Sequence, residues 1–333
     1  MKLKNYLPEI EKAENKEKRK NICLHGVSPT IKSIYSDIKK LYNKKTIKKL
    51  SKELNIPYQT LYSWVRGYNP IPISKIYVLL RFWKKNCKKS EKEFTKRWDF
   101  IYMGNEGYSQ NSQRKIILPR ELNKDLAYII GFFQGDGHLK KENVGDFQEH
   151  SIYFYEGNKE FLEKINEILY KQFNIKGNIY FQTKESKKWY TLRICSKPVY
   201  LFFKNVLNLK SGKKVRDIEV PRIIKSSELP LQFSFIRGFF DAEGGVGETK
   251  KNPWLDIGQA SSDLPCEILI WVRDKLNENG INLSEPKRTQ NQEFFRIRTS
   301  KRETIRRFFN VISSNHPEKI NKLNQIALKN VKC

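Results

Sequence analysis

Two nine-residue segments constrain this chain more than any other feature. Ile129-Ile130-Gly131-Phe132-Phe133-Gln134-Gly135-Asp136-Gly137 and Ile236-Arg237-Gly238-Phe239-Phe240-Asp241-Ala242-Glu243-Gly244 share the pattern Gly-Phe-Phe-x-small-acid-Gly, 107 positions apart. Residues four apart lie on one face of a helix, so Gly131 with Gly135, and Gly238 with Ala242, make two flat stripes that admit close helix packing. Glycine readily takes the left-handed conformation that stops a helix, so Gly137 and Gly244 are the expected ends. The residue before each is a carboxylate. Asp136 and Glu243 are therefore expected to converge.

Two carboxylates at the negative ends of two helix dipoles repel one another. A divalent cation relieves that repulsion. Hard oxygen donors at an open site suit Mg²⁺, with Mn²⁺ as a substitute, an ion that keeps its waters and bridges to phosphate oxygens. The chemistry implied is metal-assisted phosphodiester hydrolysis.

The apolar pattern repeats around the two segments. The first half reads as a helix at 125–136, a strand at 151–155, a helix at 159–173, strands at 177–183 and 189–195, and a helix at 198–207. The second half repeats it with a helix at 233–243, a strand near 254–259, a helix at 264–279, strands near 284–289 and 293–299, and helices from Lys301 and Pro317. Two copies of the unit in one chain predict a pseudo-twofold α+β domain over 115–232 and 233–333, and a monomer, since the duplication supplies both halves of the site. Ahead of it, residues 1–30 read as a charged arm, 31–103 as a small all-helical domain, and 104–114 (GNEGYSQNSQR) as a linker.

Composition names the partner class. The 333 residues carry 64 Lys and Arg against 36 Asp and Glu, net +28, and residues 1–120 hold +18 of it. Clustered basic charge gains most from displacing counterions on a nucleic-acid backbone. No run approaches the roughly 18–20 apolar residues of a membrane helix, and the N-terminus lacks a signal-peptide core. The expected setting is therefore the cytoplasm of a prokaryote, or an organelle. Five scattered cysteines with no CxxC pair exclude a disulfide framework and a cysteine zinc site.

The paired segments, with the lead-in Ile117-Leu118-Pro119-Arg120-Glu121-Leu122 and Asp125-Leu126-Ala127-Tyr128, resemble single-chain LAGLIDADG homing endonucleases. The resemblance covers about residues 115–330. It implies an αββαββα fold in each half, an antiparallel saddle lying in the DNA major groove, cleavage of both strands beneath the motif helices, and a long asymmetric double-stranded target. It places metal binding on Asp136 and Glu243, while Gln134 departs from the usual first acid, which is Asp241 in the second copy. It further implies basic residues near the site, for which Lys213 and Lys319 are the candidates. For bases or phosphates it points along the strands to Gln182, Lys184, Lys188, Arg193, Arg288, Gln290, Arg296 and Arg298.

Residues 46–67 (TIKKLSKELNIPYQTLYSWVRG) resemble a helix-turn-helix, with Ile47, Leu50, Ile56, Leu61 and Val65 buried and Gln59, Thr60 and Arg66 turned toward DNA. The function expected is that of a site-specific, metal-dependent DNA endonuclease. The alternatives are a non-catalytic DNA-binding regulator on the same fold and an intron RNA maturase.

Overall fold

The computed structural model describes residues 1–15, 22–41, 47–110, 114–144, 147–210, 218–249, 252–289 and 293–328. The chain divides into two compact units. One comprises Lys2–Arg120 with Ser196–Val206; the other comprises Met1, Glu121–Cys195 and Leu207–Cys333. Among the described residues no helix is long and apolar enough to cross a membrane.

The first unit contains α1 (Leu7–Asn15), β1 (Ile22–His25), α2 (Ser28–Leu41), α3 (Ile47–Glu53), α4 (Tyr58–Arg66), β2 (Ile71–Pro72), α5 (Ile73–Asn86), α6 (Glu91–Gly104) and β3 (Gly107–Gln110). It adds a small antiparallel sheet, in the order β2-β1-β3, to the helices expected there. The segment read as a linker supplies β3, which pairs with β1 from Ile22↔Gln110 to His25↔Gly107. The segment read as a charged arm supplies α1 and β1, because Leu3, Tyr6, Leu7 and Ile10 give it one fully buried stripe. Four apolar residues among many lysines are a weak signal, yet four suffice for a two-turn helix to dock.

The second unit opens with α7 (Lys124–Asp136), β4 (Gly137–Val144), β5 (Phe147–Glu156), α8 (Lys159–Phe173), β6 (Asn178–Lys184) and β7 (Lys187–Cys195). The chain then enters the first unit as α9 (Lys197–Leu201) and a π-turn at Phe202–Val206. The helix expected at 198–207 is thus present at 197–206, its second half in π rather than α geometry. There the Phe202 ring meets Tyr6 edge-on at 5.4 Å, and the buried Lys197 ammonium lies 3.9 Å from the buried Glu14 carboxylate. Back in the second unit follow α10 (Arg222–Lys225), α11 (Leu229–Glu243), β8 (Gly244–Thr249), β9 (Asn252–Ala260), α12 (Glu267–Glu278), β10 (Lys287–Arg288), β11 (Phe294–Thr299), α13 (Arg302–Val311) and α14 (Pro317–Leu328).

Two four-stranded antiparallel sheets result, β4-β5-β7-β6 and β10-β11-β9-β8. Each buries one face. α8 lays Phe161, Leu162, Ile165 and Leu169 on the first sheet, and α12 lays Ile268, Leu269 and Val272 on the second. Strands β4 and β8 carry too few apolar residues to signal themselves; they exist because each motif helix runs without a loop into a strand that pairs with the next.

α7 and α11 pack against each other through backbone. A Cβ built on Gly131 would stand 2.0 Å from the Phe235 carbonyl oxygen, and one on Gly238 would stand 2.0 Å from that of Tyr128. The motif's final glycines serve a different end from the one expected. Gly137 (φ −99°) and Gly244 (φ −88°) are extended rather than left-handed, and each begins a strand. What demands glycine is space, since a Cβ would fall 2.2 Å from the Phe133 ring in one copy and 2.1 Å from the Phe240 ring in the other.

Gly131→Ala and Gly238→Ala should each cost about 3 kcal/mol or more, because the obstructing atoms are main chain and cannot rotate away. A urea midpoint unchanged in either variant would refute the contact.

Candidate metal centre and nucleic-acid interface

Asp136 is the last residue of α7 and Glu243 the last of α11, and both are half-exposed. Their proximity follows from Gly135. A Cβ there would lie 2.4 Å from Ala242 Cβ and 2.8 Å from Glu243 Cγ, so the Glu243 side chain rests on the α7 backbone one residue from Asp136. The expected convergence of the two acids is therefore built into the helix contact.

Lys319, on the first turn of α14, donates its ammonium to the Phe240 carbonyl at 3.1 Å and the Asp241 carbonyl at 2.6 Å. It thereby caps the C-terminus of α11, where positive charge is favoured. Burial lowers its pKa, while Asp241, Glu156, Asp136 and Glu243 all pull toward the charged form. The candidate lysine of the second half is thus within electrostatic reach of both motif acids. Its expected counterpart Lys213, and the candidate base reader Gln290, lie outside the described residues.

The remaining acids are occupied. Asp241 is buried and accepts from the Tyr128 hydroxyl at 2.8 Å, the Asn315 N–H at 2.8 Å and the Ser314 hydroxyl. Burial raises its pKa and these donors oppose the rise. Gln134, at the same motif position, donates from Nε2 to the Glu219 carbonyl at 2.7 Å. Glu156, at the end of β5, faces His316 Nε2 at 3.6 Å across the two halves and accepts from the Gly157 N–H at 2.6 Å and the Asn158 N–H at 3.1 Å. Burial pushes the Glu156 carboxyl up, but its contact with His316 and the two amides outweigh that and leave its pKa lowered.

Register assigns the strand residues to faces. Residues paired across an antiparallel ladder share a face, and the pairs Tyr153↔Arg193, Asn178↔Arg193, Gln182↔Trp189 and Lys184↔Lys187 put Arg193, Gln182 and Lys184 on the face away from buried Leu192 and Ile194. Lys188 pairs with Thr183 and falls on the opposite face, so Lys187 takes the place expected of it. The second sheet repeats the correction. Arg298↔Asp256 and Arg296↔Gly258 share the open face with Lys287, whereas Arg288 pairs with Phe295 on the core side. Alternation against Leu192 and Ile194 on the same strand would have given Lys187, whereas choosing Lys287 over Arg288 needs the register of β10 on β11.

These arginines are not isolated charges. Arg193 bonds Glu149 and lies 5.7 Å from the Tyr153 ring centre. The Cys195 thiol also donates to Glu149 at 2.9 Å, and this bond leads the causes that hold the Glu149 carboxyl low. Arg296 lies 3.6 Å from Asp256, and Arg298 sits 5.6 Å from the Trp254 ring. Burial raises the Asp256 pKa against the pull of Arg296, Arg298 and Lys319.

In the first unit, α3 and α4 are joined by 54–57, and Gly67 closes α4 in the left-handed conformation at φ +84°. Leu50, Ile56, Leu61, Trp64 and Val65 are buried, Gln59 and Arg66 are exposed, and Thr60 is half-buried. The outward surface also presents Tyr62, as its spacing predicts, together with Tyr58 and Tyr68, which the spacing does not single out. Tyr58 stacks on Tyr62 at 6.0 Å, Tyr68 leans on Tyr62 at 6.4 Å, and the Arg66 guanidinium sits 5.3 Å from the Tyr62 ring.

A family model of LAGLIDADG-like domains matches residues 123–207, the segment that holds α7 and the first sheet. The match assigns that segment, and no more of the chain, to the LAGLIDADG-like domains. Among curated proteins it is 27% identical over 206 residues to the homing endonuclease I-ApeI of Aeropyrum pernix, covering 60% of this chain and 86% of that protein. It is also 26% identical over 178 residues to a DNA polymerase of Methanocaldococcus jannaschii, covering 50% of this chain but 9% of that much longer protein. Among solved structures, I-DmoI in complex with DNA and Mn aligns at TM-score 0.43 and 23% identity, over 59% of this chain and 99% of that one.

The Glu156 carboxylate, with its pKa lowered in the folded state, stabilises the protein above the ordinary carboxylate range, and that contribution disappears as pH falls through the folded value. Glu156→Gln should therefore lower the urea midpoint at pH 7, and the deficit should narrow as pH falls below about 4.3. A deficit equal at pH 7 and pH 3 would show that the carboxylate charge is not what matters.

Proposed function

We propose that this protein is a site-specific double-stranded DNA endonuclease that hydrolyses phosphodiester bonds with a divalent metal ion. The observation that carries the proposal is the pair Asp136 and Glu243 at the adjoining ends of α7 and α11, with Lys319 anchored beside them. The donor set fits a hard cation. It consists of carboxylate oxygens alone, and among the described residues no three His, Cys, Asp or Glu side chains gather into an all-protein cage. A site with so few protein ligands suits Mg²⁺ or Mn²⁺, which retain water and take phosphate oxygens as partners. Bound there by Asp136 and Glu243, the ion would supply Lewis-acid polarisation of the phosphate and an activated water.

The chain's own residues do the rest. An ammonium has three N–H groups, and Lys319 uses two on the α11 carbonyls. The third is available to a phosphate oxygen, where it offsets the negative charge that grows as the water oxygen bonds to phosphorus and the ester oxygen departs. Arg193, Gln182, Lys184 and Lys187 on one sheet, and Arg296, Arg298 and Lys287 on the other, share the open faces suited to groove and phosphate contacts. The two faces carry different side chains, which supports a long asymmetric target read by a monomer. Gln59, Arg66 and the exposed tyrosines beside them support a second contact, made by the helix pair α3 and α4 as a helix-turn-helix.

The test is to incubate the protein with a diverse duplex library and Mg²⁺ or Mn²⁺, sequence the ends, and compare Asp136→Asn and Glu243→Gln. Discrete ends are expected, lost by at least about 10³-fold in either variant and in chelator. Enrichment of a sequence without cutting would replace this reading with a regulator, and preference for structured intron RNA would replace it with a maturase.

A further inference from the structure

The motif residue two places before each metal-binding acid differs between the halves, Gln134 in one and Asp241 in the other, and the difference has structural content. Asp241 is 1% exposed, so its carboxylate serves the interior rather than a bound ion. Two of its three donors, the Ser314 hydroxyl and the Asn315 N–H, belong to the turn that enters α14. That turn is tightly built. Ser313 takes φ +62°, and the Ser314 hydroxyl oxygen also accepts the His316 N–H at 3.1 Å. The main-chain carbonyl of the same Asp241 accepts the Lys319 ammonium at 2.6 Å. One residue thus holds both the entrance to α14 and the amine that its first turn carries.

The third donor crosses the molecule. Tyr128 of α7 gives its hydroxyl to Asp241 at 2.8 Å, and its carbonyl oxygen is the atom that Gly238 must clear. The placement of Lys319 is thereby referenced to the helix pair that carries the two motif acids. Among the described residues Gln134 has a different partner, since it gives its amide to the Glu219 carbonyl, and the residue equivalent to Tyr128 is Phe235, which lacks a hydroxyl.

We propose that Asp241 is a positioning residue for Lys319, its buried carboxylate fixing the turn from which that lysine reaches the ends of α7 and α11. The inference rests on the nuclease reading for what Lys319 touches. Asp241 itself meets neither substrate nor metal and acts through the turn at 313–316.

Hydrogen exchange and strand-specific cleavage, both on the full chain, test it. In Asp241→Asn the peptide over residues 312–323 should exchange faster while residues 124–136 keep their protection. With each strand of the target labelled in turn, single-turnover cleavage of one strand should slow about 10²-fold and the other by less than about threefold, with target affinity unchanged. Lys319→Met should slow that same strand, and adding Asp241→Asn to it should slow the strand no further, as expected when one residue acts only through another. Ser314→Ala, which keeps every side chain of α7 and α11 and removes one donor from Asp241, should show the same strand preference to a smaller degree and guards against misfolding of the Asp241 variant. Equal slowing of both strands, additive losses in the double variant, or unchanged exchange across 312–323 would each overturn the proposal. If the wild-type protein cuts no DNA, the nuclease reading falls, and the exchange result alone decides whether Asp241 holds the turn that carries Lys319.

Discussion

Main-chain contact between α7 and α11 is the constraint on which the rest depends. With no Cβ on Gly131 or Gly238, each helix lays a carbonyl oxygen against the other's Cα, an approach that only glycine permits and that weak Cα–H···O contacts reinforce. Side chains can repack when a neighbour changes, but backbone atoms of two hydrogen-bonded helices cannot. The separation of the helix ends is therefore set by the stiffest part of the molecule. Everything attached to those ends inherits that stiffness, including the two motif acids and the strands β4 and β8 that begin at the very next residue. The phenylalanines flanking each glycine point the other way into the cores, as Phe132 and Phe133 do toward Phe154.

Electrostatics works against this geometry and the surrounding residues answer it. Two helix C-termini and two carboxylates concentrate negative potential in a small volume. Lys319 meets part of it from within by binding the carbonyls of α11, and on the second sheet Arg296 and Arg298 offset the charge of Asp256. The Glu156 and His316 contact adds a link between the halves, with Glu156 from β5 and His316 from the residue ahead of α14. Under the proposed nuclease reading, charge of both signs held in place before any ligand arrives is the preorganisation that a polyanion and a cation together require.

The duplicated motif made the architecture of the second unit legible, because identical residues 107 positions apart leave few arrangements other than two helices facing each other. The acids were legible for the same reason. Strand-borne residues were less so. A basic residue at 187 or 188, and at 287 or 288, looks equally suitable as a charge; alternation along β7 separates the first two, and only the pairing register separates the second two. The roles of Asp241 and Glu156 were hidden because their partners at 314–316 are remote in sequence and unremarkable in composition. The glycines at 137 and 244 were placed correctly at helix ends for a reason that proved different, since ring clearance rather than backbone handedness excludes a side chain there. In the first unit, charge density concealed how little apolar surface α1 needs in order to dock.

The path of the chain between the two units has a consequence for any attempt to separate them. It runs through the first unit, into the second, back through Ser196–Val206, and out again. A truncation that began after residue 114 would retain this return loop while deleting what it packs on. The Lys197 ammonium would lose the buried Glu14 carboxylate, and Phe202 would lose the ring of Tyr6. The amino-terminal unit expressed alone would in turn lack one of its own helices. Recombination between relatives meets the same obstacle, because no single crossover point moves either unit intact, so the two are inherited as one piece.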